Sequence, residues 1–249
     1  MKRKIFTLLF IIVAVTAAKG QVAFEMGLNM ANLSIKENDR ATNKSVKVPT
    51  GFKPGFAGGF AADIALGEHA YFQPGAFFEM MGCKLKTTPP GKYNINAITF
   101  PLNFEYKSGE KCGNRFFFGG GPYLSDNIGG SYEQDALGQL PAVSTTLKIG
   151  SASPSTLKAL DFGIGLNLGY QLKKRLYGRL HYQVGLANLV PGADGNNSLK
   201  SSAFGVTIGF LFGKCDNFKH IPGFGNRSGT HWRGMSKSRY SRKIRHPRN

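Results

Sequence analysis

The chain has 249 residues, 33 of them glycine and 20 phenylalanine, and its 32 Lys and Arg against 14 Asp and Glu leave a formal net charge of +18. That glycine and phenylalanine content is nearer to a β-barrel than to an α/β enzyme, and the slightly negative mean hydropathy speaks against a bundle of spanning helices. Three cysteines with no CxxC pair and no nearby His pair argue against a metal site.

Residues 1–20, MKRKIFTLLFIIVAVTAAKG, read as a signal peptide. A basic start leads into an apolar run from Ile5 to Ala18 that is too short to cross a bilayer as a helix, and Ala18 and Gly20 suit a cut that leaves Gln21 first. Residues 21–213 then hold eight candidate strands. The first, 23–35, sets Phe24, Met26, Leu28 and Met30 against Glu25, Gly27, Asn29 and Ala31. The second, 52–66, sets Phe56, Phe60, Ala62 and Ile64 against Ala57, Gly59, Ala61 and Asp63. In the third, 71–84, Phe72, Ala76, Phe78 and Met80 oppose Tyr71, Gln73, Gly75 and Glu79, and in the fourth, 93–107, Ile98, Phe100, Leu102 and Phe104 oppose Ala97, Thr99, Asn103 and Glu105. The fifth, 115–126, leaves its facing open, because Phe116, Phe117 and Phe118 are consecutive and the glycines at 119–121 invite a bulge.

Residues 157–189 carry the strongest pattern, a hairpin turning on Lys173 and Lys174. Leu160, Phe162, Ile164, Leu166, Leu168, Tyr170 and Leu172 fall on one face, with small or polar residues on the other, and the alternation resumes after the turn. An eighth strand follows at 201–212. Alternation alone does not say which face looks inward. The polar face, however, is mostly Gly, Ala, Asn and Gln with isolated charges, which suits a narrow lumen enclosed by about eight strands, while an unbroken apolar wall suits hydrocarbon. The alternative is a soluble sheet with one half-buried face. Short links alternate with long, polar ones along the chain, as in an up-and-down barrel with tight periplasmic turns and longer external loops. The expected fold is therefore all-β: an eight-stranded antiparallel up-and-down transmembrane β-barrel with a disordered basic C-terminal tail.

The segments 27–34 (GLNMANLS), 59–79 (GFAADIALGEHAYFQPGAFFE), 100–106 (FPLNFEY), 119–124 (GGGPYL) and 161–172 (DFGIGLNLGYQL), in this order behind a leader that ends before Gln21, resemble the PorT-like outer-membrane β-barrel proteins of Bacteroidetes. The resemblance spans roughly residues 21–213. It implies a small barrel in the bacterial outer membrane, in contact with its lipid. Most members of that family have no assigned activity; the branch that gives the name is tied to protein secretion and gliding.

The same parity puts Glu25, Asp63, Glu79, Glu105 and Asp161 in the lumen, facing Arg179 and His181. Buried charges require partners, so a network of ion pairs plugging a narrow barrel is the leading reading, ahead of a proton or ion path. No Ser, His and acid stand at a recognisable spacing, which disfavours a lipid-modifying enzyme, and no cofactor motif is present: the glycines at 119–121 lack the Lys and Ser or Thr of a phosphate loop. Cys112 and Cys215 are expected on the periplasmic side, where a disulfide is permitted by compartment, although their strands lie on opposite walls and the tail would have to cross the mouth. Residues 214–249 hold ten Lys or Arg against the single Asp216. The leader argues against nucleic acid, leaving an anionic envelope component or a periplasmic protein as the tail's contact, with Trp232 as an anchor at the interface. A non-enzymatic scaffold or accessory is the first functional expectation, and a narrow channel the alternative.

Overall fold

The computed structural model describes residues 20–39, 44–109, 113–138, 141–150, 155–172, 175–192 and 197–212. Its strands are β1 (Gln21–Asp39), β2 (Lys44–Val48), β3 (Thr50–Gly51), β4 (Lys53–Ala65), β5 (Ala70–Leu85), β6 (Gly91–Lys107), β7 (Arg115–Gln134), β8 (Val143–Thr146), β9 (Leu160–Leu172), β10 (Leu176–Gly185) and β11 (Ser198–Phe212). Eight of them form a ring in the order β1, β4, β5, β6, β7, β9, β10, β11. The last returns antiparallel to the first, from Val22 opposite Phe212 to Lys36 opposite Ser198, so the barrel closes. The short strands β2, β3 and β8 extend the sheet at the end that carries the long connections.

Period-two alternation decides which side chains leave the sheet outward. Leu28, Phe60, Phe104, Phe162, Leu166 and Ile208 are among the large apolar residues exposed on the outer wall, Leu28 by 69% and Leu166 by 62%. A continuous apolar wall of this extent is the surface that hydrocarbon, not water, covers. The opposite parity lines the lumen, where glycines admit large neighbours. A Cβ at Gly169 would fall 2.3 Å from Phe117 Cζ, and one at Gly209 2.1 Å from Tyr177 Cζ.

The strands run further than the sequence pattern suggests, because β1, β6 and β7 continue past the apolar belt into what read as connections. In β7, Phe117 is buried in the lumen while Phe116 and Phe118 face outward. The expected bulge at 119–121 is not there: Gly119 and Gly120 stay in register with Glu105 and Phe104. The register shifts instead where Asn96 pairs with Gly129 and Ala97 with Asn127, leaving Ile128 as the extra residue. At the β9–β10 hairpin the last pair is Leu172 with Leu176, so Arg175 joins the connection; Lys173 and Lys174 lie outside the described residues. So do the leader up to residue 19, Cys112, Cys215 and the tail.

Candidate functional site: a stratified lumen

Three layers fill the barrel interior, counted from the end where β1 begins at Gln21 and β11 stops at Phe212. The first is ionic. Arg179 on β10 places Nη1 3.0 Å from Glu25 Oε1 on β1 and Nη2 3.0 Å from Glu105 Oε1 on β6. Nη2 also donates to Gln73 Oε1 on β5 at 2.6 Å. Glu25 accepts from Tyr177 Oη at 2.5 Å and from Thr207 Oγ1 at 3.3 Å. Lys107 Nζ sits against Asp63 Oδ2 and 3.4 Å from Glu105 Oε2, and Gln73 Nε2 donates to Asp63 Oδ1 at 2.7 Å. Three carboxylates and two cations, all buried, thus share one network. Isolated, each would be prohibitively costly in this interior; mutual pairing and neutral donors offset that cost. Below them Arg115 donates to Tyr71 Oη at 2.8 Å.

The second layer holds carboxylates with neutral partners. Glu79 on β5 accepts from Thr99 Oγ1 at 2.9 Å and from Gln183 Nε2, across the barrel, at 3.3 Å. Asp161 Oδ2 accepts from Ser201 Oγ at 2.5 Å. Between the two polar layers lies a cavity of about 40 Å³ bordered by Glu79, Arg179, His181 and Gln183, enough for a few water molecules.

The third layer is apolar. Leu33, Ile35, Met81, Cys83, Ile95 and Leu189 pack together inside the end of the barrel that bears the long connections. The connection between β8 and β9 folds inward over them, burying Leu147 and Leu157, with Ile149 bridging Leu157. Cys83, within this layer, is a buried free thiol.

The seven residues expected in the lumen all face inward, but they do not form one cluster. Glu25, Asp63, Glu105 and Arg179 come together; Glu79 and Asp161 stand one layer up without a cation among the described residues. Among the described residues His181 forms no ion pair with a carboxylate; it lies against Gly205, where a Cβ would meet its Cε1 at 2.3 Å. The cation that neutralises Asp63 is Lys107, absent from the sequence-based set of charged lumen residues, as are Tyr177 and Arg115. Parity carried the signal: Lys107 is two residues from Glu105, and Tyr177 two from Arg179, on the same face. Among the described residues no group of three or more His, Cys, Asp or Glu side chains is placed to hold a metal ion.

Solved structures similar to this chain include the outer membrane protein OprG of Pseudomonas aeruginosa, at 14% sequence identity and a TM-score of 0.44, covering 78% of this chain and 97% of that one. Neisserial surface protein A is similar at 11% identity and a TM-score of 0.42, covering 77% of this chain and 97% of the other. The attachment invasion locus protein Ail of Yersinia pestis is similar at 11% identity and a TM-score of 0.39, covering 78% and 99%. Among curated proteins none matches the sequence. Residues 18–190 match the family model described as "Outer membrane protein beta-barrel domain". With a closed eight-stranded barrel, an apolar outer wall and a match over most of its length, the chain belongs to the outer membrane protein beta-barrel domain family and resides in the bacterial outer membrane.

Proposed function

We propose that the protein is a closed, non-enzymatic barrel that serves as a scaffold or accessory in the outer membrane, engaging partners through its external connections and its basic tail. One observation carries this reading: an ionic layer bridged across the lumen lies beneath an apolar layer capped by Leu147 and Leu157. Pairing across the lumen in one layer and apolar packing in the other support a plugged interior over an aqueous path. Asp161 accepts from Ser201, and among the described residues neither is bonded to a histidine, which supports a structural part for the pair over a nucleophilic relay. The likeness to PorT-like proteins extends the proposal to protein secretion or envelope organisation. The leader at 1–20, the barrel at 21–213 and a periplasmic tail at 214–249 complete it, with the tail meeting an anionic envelope component and Cys112 able to pair with Cys215.

Two measurements test this. In planar bilayers the purified protein should give no discrete conductance steps; regular steps would make it a channel. In intact envelopes a photo-crosslinker at Thr87 or at Leu137, both exposed, should give a discrete protein adduct, and a chain ending at Gly213 should lose whichever adducts depend on the tail. A barrel that conducts and forms no adduct would reverse the proposal.

A further inference from the structure

The register sets lysines side by side on the outer wall of the barrel. Lys36 of β1 stands directly opposite Lys47 of β2, and Lys84 of β5 directly opposite Lys92 of β6. Lys200 of β11, opposite Ser34, continues the row. All five are exposed. Side chains so opposed stand about 5 Å apart, and like charges at that spacing repel. One of the five has a carboxylate partner among the described residues: Lys92 Nζ lies 2.9 Å from Glu133 Oε2. That hydrogen bond raises the Lys92 ammonium above its ordinary range and lowers the Glu133 carboxyl below its own. Lys36, Lys47, Lys84 and Lys200 have no such neutralisation within the described residues.

Their height matters as much as their charge. The outward apolar series ends at Met80 on β5 and at Phe204 on β11, and the next outward positions, Gly82 and Ser202, are small. Lysine follows at 84 and at 200, four residues on, about 13 Å along a strand and less along the axis of a tilted barrel. That is the level of lipid head groups, within reach of long lysine stems. A cleft of about 730 Å³ lies here, bordered by Phe52, by three cations, Lys84, Lys86 and Lys92, and by one acid, Asp135. Of its lining residues, Asn32 on β1, Lys84 on β5 and Lys92 on β6 have the outward parity of their strands. Phe52, half-exposed, adds an apolar side.

We propose that this lysine girdle, centred on the cleft of Lys84, Lys86 and Lys92, binds the phosphate groups on the sugar heads of outer-leaflet lipids, a phosphate seating between lysines that the register forces together. The outward parity of the lining and its height above the apolar wall favour a lipid head group over a soluble polyanion. The inference rests on the reading that the end with long connections is external.

Phosphorylated lipid A in detergent micelles, titrated into the purified full chain, tests the site independently of that orientation. Wild-type protein should bind with an affinity that falls as salt is added. The combined Lys84→Gln, Lys86→Gln and Lys92→Gln chain should bind at least tenfold more weakly, the corresponding arginine chain should bind like wild type, and dephosphorylated lipid A should bind wild type as poorly as the glutamine chain binds the phosphorylated form. Heat-dependent gel migration confirms that each variant is folded. Equal affinity of the glutamine chain and wild type overturns the proposal, and so does inorganic polyphosphate binding as tightly as the lipid. Orientation is read separately, with a membrane-impermeant maleimide on intact cells carrying Thr87→Cys in a background whose native cysteines are serine. Labelling from outside supports the outer-leaflet site; labelling only after the envelope is opened overturns it.

Discussion

Arg179 of β10 and Gln73 of β5 stand on strands four places apart in an eight-strand ring, yet Nη2 of one reaches Oε1 of the other at 2.6 Å, so a single contact spans the diameter of the lumen. The guanidinium is the hub through which β1, β5, β6 and β10 are tied together from inside.

Removing that hub should therefore cost more than removing either acid. Arg179→Ala leaves Glu25 without a cation and Glu105 with Lys107 alone, and breaking a buried pair in this way typically costs about 3–5 kcal/mol. Urea unfolding from lipid vesicles measures it. Neutralising the set together, with Arg179→Met, Glu25→Gln and Glu105→Gln, should recover most of the loss. An Arg179→Ala barrel within about 1 kcal/mol of wild type would show that the layer is hydrated and the pairs contribute little.

Gly209 carries a second expectation. Its missing side chain leaves the room taken by Tyr177, whose hydroxyl donates to Glu25 at 2.5 Å. Gly209→Ala should displace the ring and loosen that bond, at a cost of about 1–3 kcal/mol, as overpacking usually brings. In a Tyr177→Ala background the same change should cost almost nothing, and a double-mutant cycle reads the difference. Equal costs in both backgrounds would mean that the tyrosine moves aside freely.

The strand pattern made most of this barrel legible, because a two-sided wall between lipid and a narrow lumen imposes strict alternation on every strand. Residues 160–172 show it without a break, and β9 occupies those residues. Where the alternation fails the reading fails with it. Three consecutive phenylalanines gave no facing for Phe117, and Gly119 to Gly121 suggested a bulge that the register places at Ile128. Parity carried two residues past Glu105 reaches Lys107, and two back from Arg179 reaches Tyr177, but which acid meets which cation depends on strands far apart in the chain: Arg179 and Glu25 are brought together by closure of β11 on β1. The inward fold of Leu147 and Leu157 had no local signature, since a connection with no repeat offers nothing to read.

That cap can be released on its own. Leu157 is almost wholly buried among Leu33, Ile95 and Leu189, so Leu157→Asp would place a carboxylate in an apolar cluster with no partner. The segment 141–159 should come away and become sensitive to protease added to intact cells, while the barrel keeps its heat-dependent gel migration. Leu157→Ala should do the same more weakly, since the cavity it leaves costs about 2–5 kcal/mol spread over the local packing. A Leu157→Asp chain as resistant as wild type would show that the cap is held by other contacts.

Leu166 lies midway along the outward series of β9 and is among the most exposed leucines of the wall. On a water-facing surface a change to arginine would alter stability by no more than about 0.5 kcal/mol. At the bilayer midplane it should cost about 2–4 kcal/mol, and the penalty should fall toward about 1 kcal/mol or less for the same change at Leu160 or Leu172, nearer the two interfaces. Folding into vesicles of defined thickness, followed as a function of urea, gives the three values. A graded penalty would map the depth of the belt along a single strand; a flat one would mean that acyl chains do not cover this face, and the lysine girdle would lose its reference height.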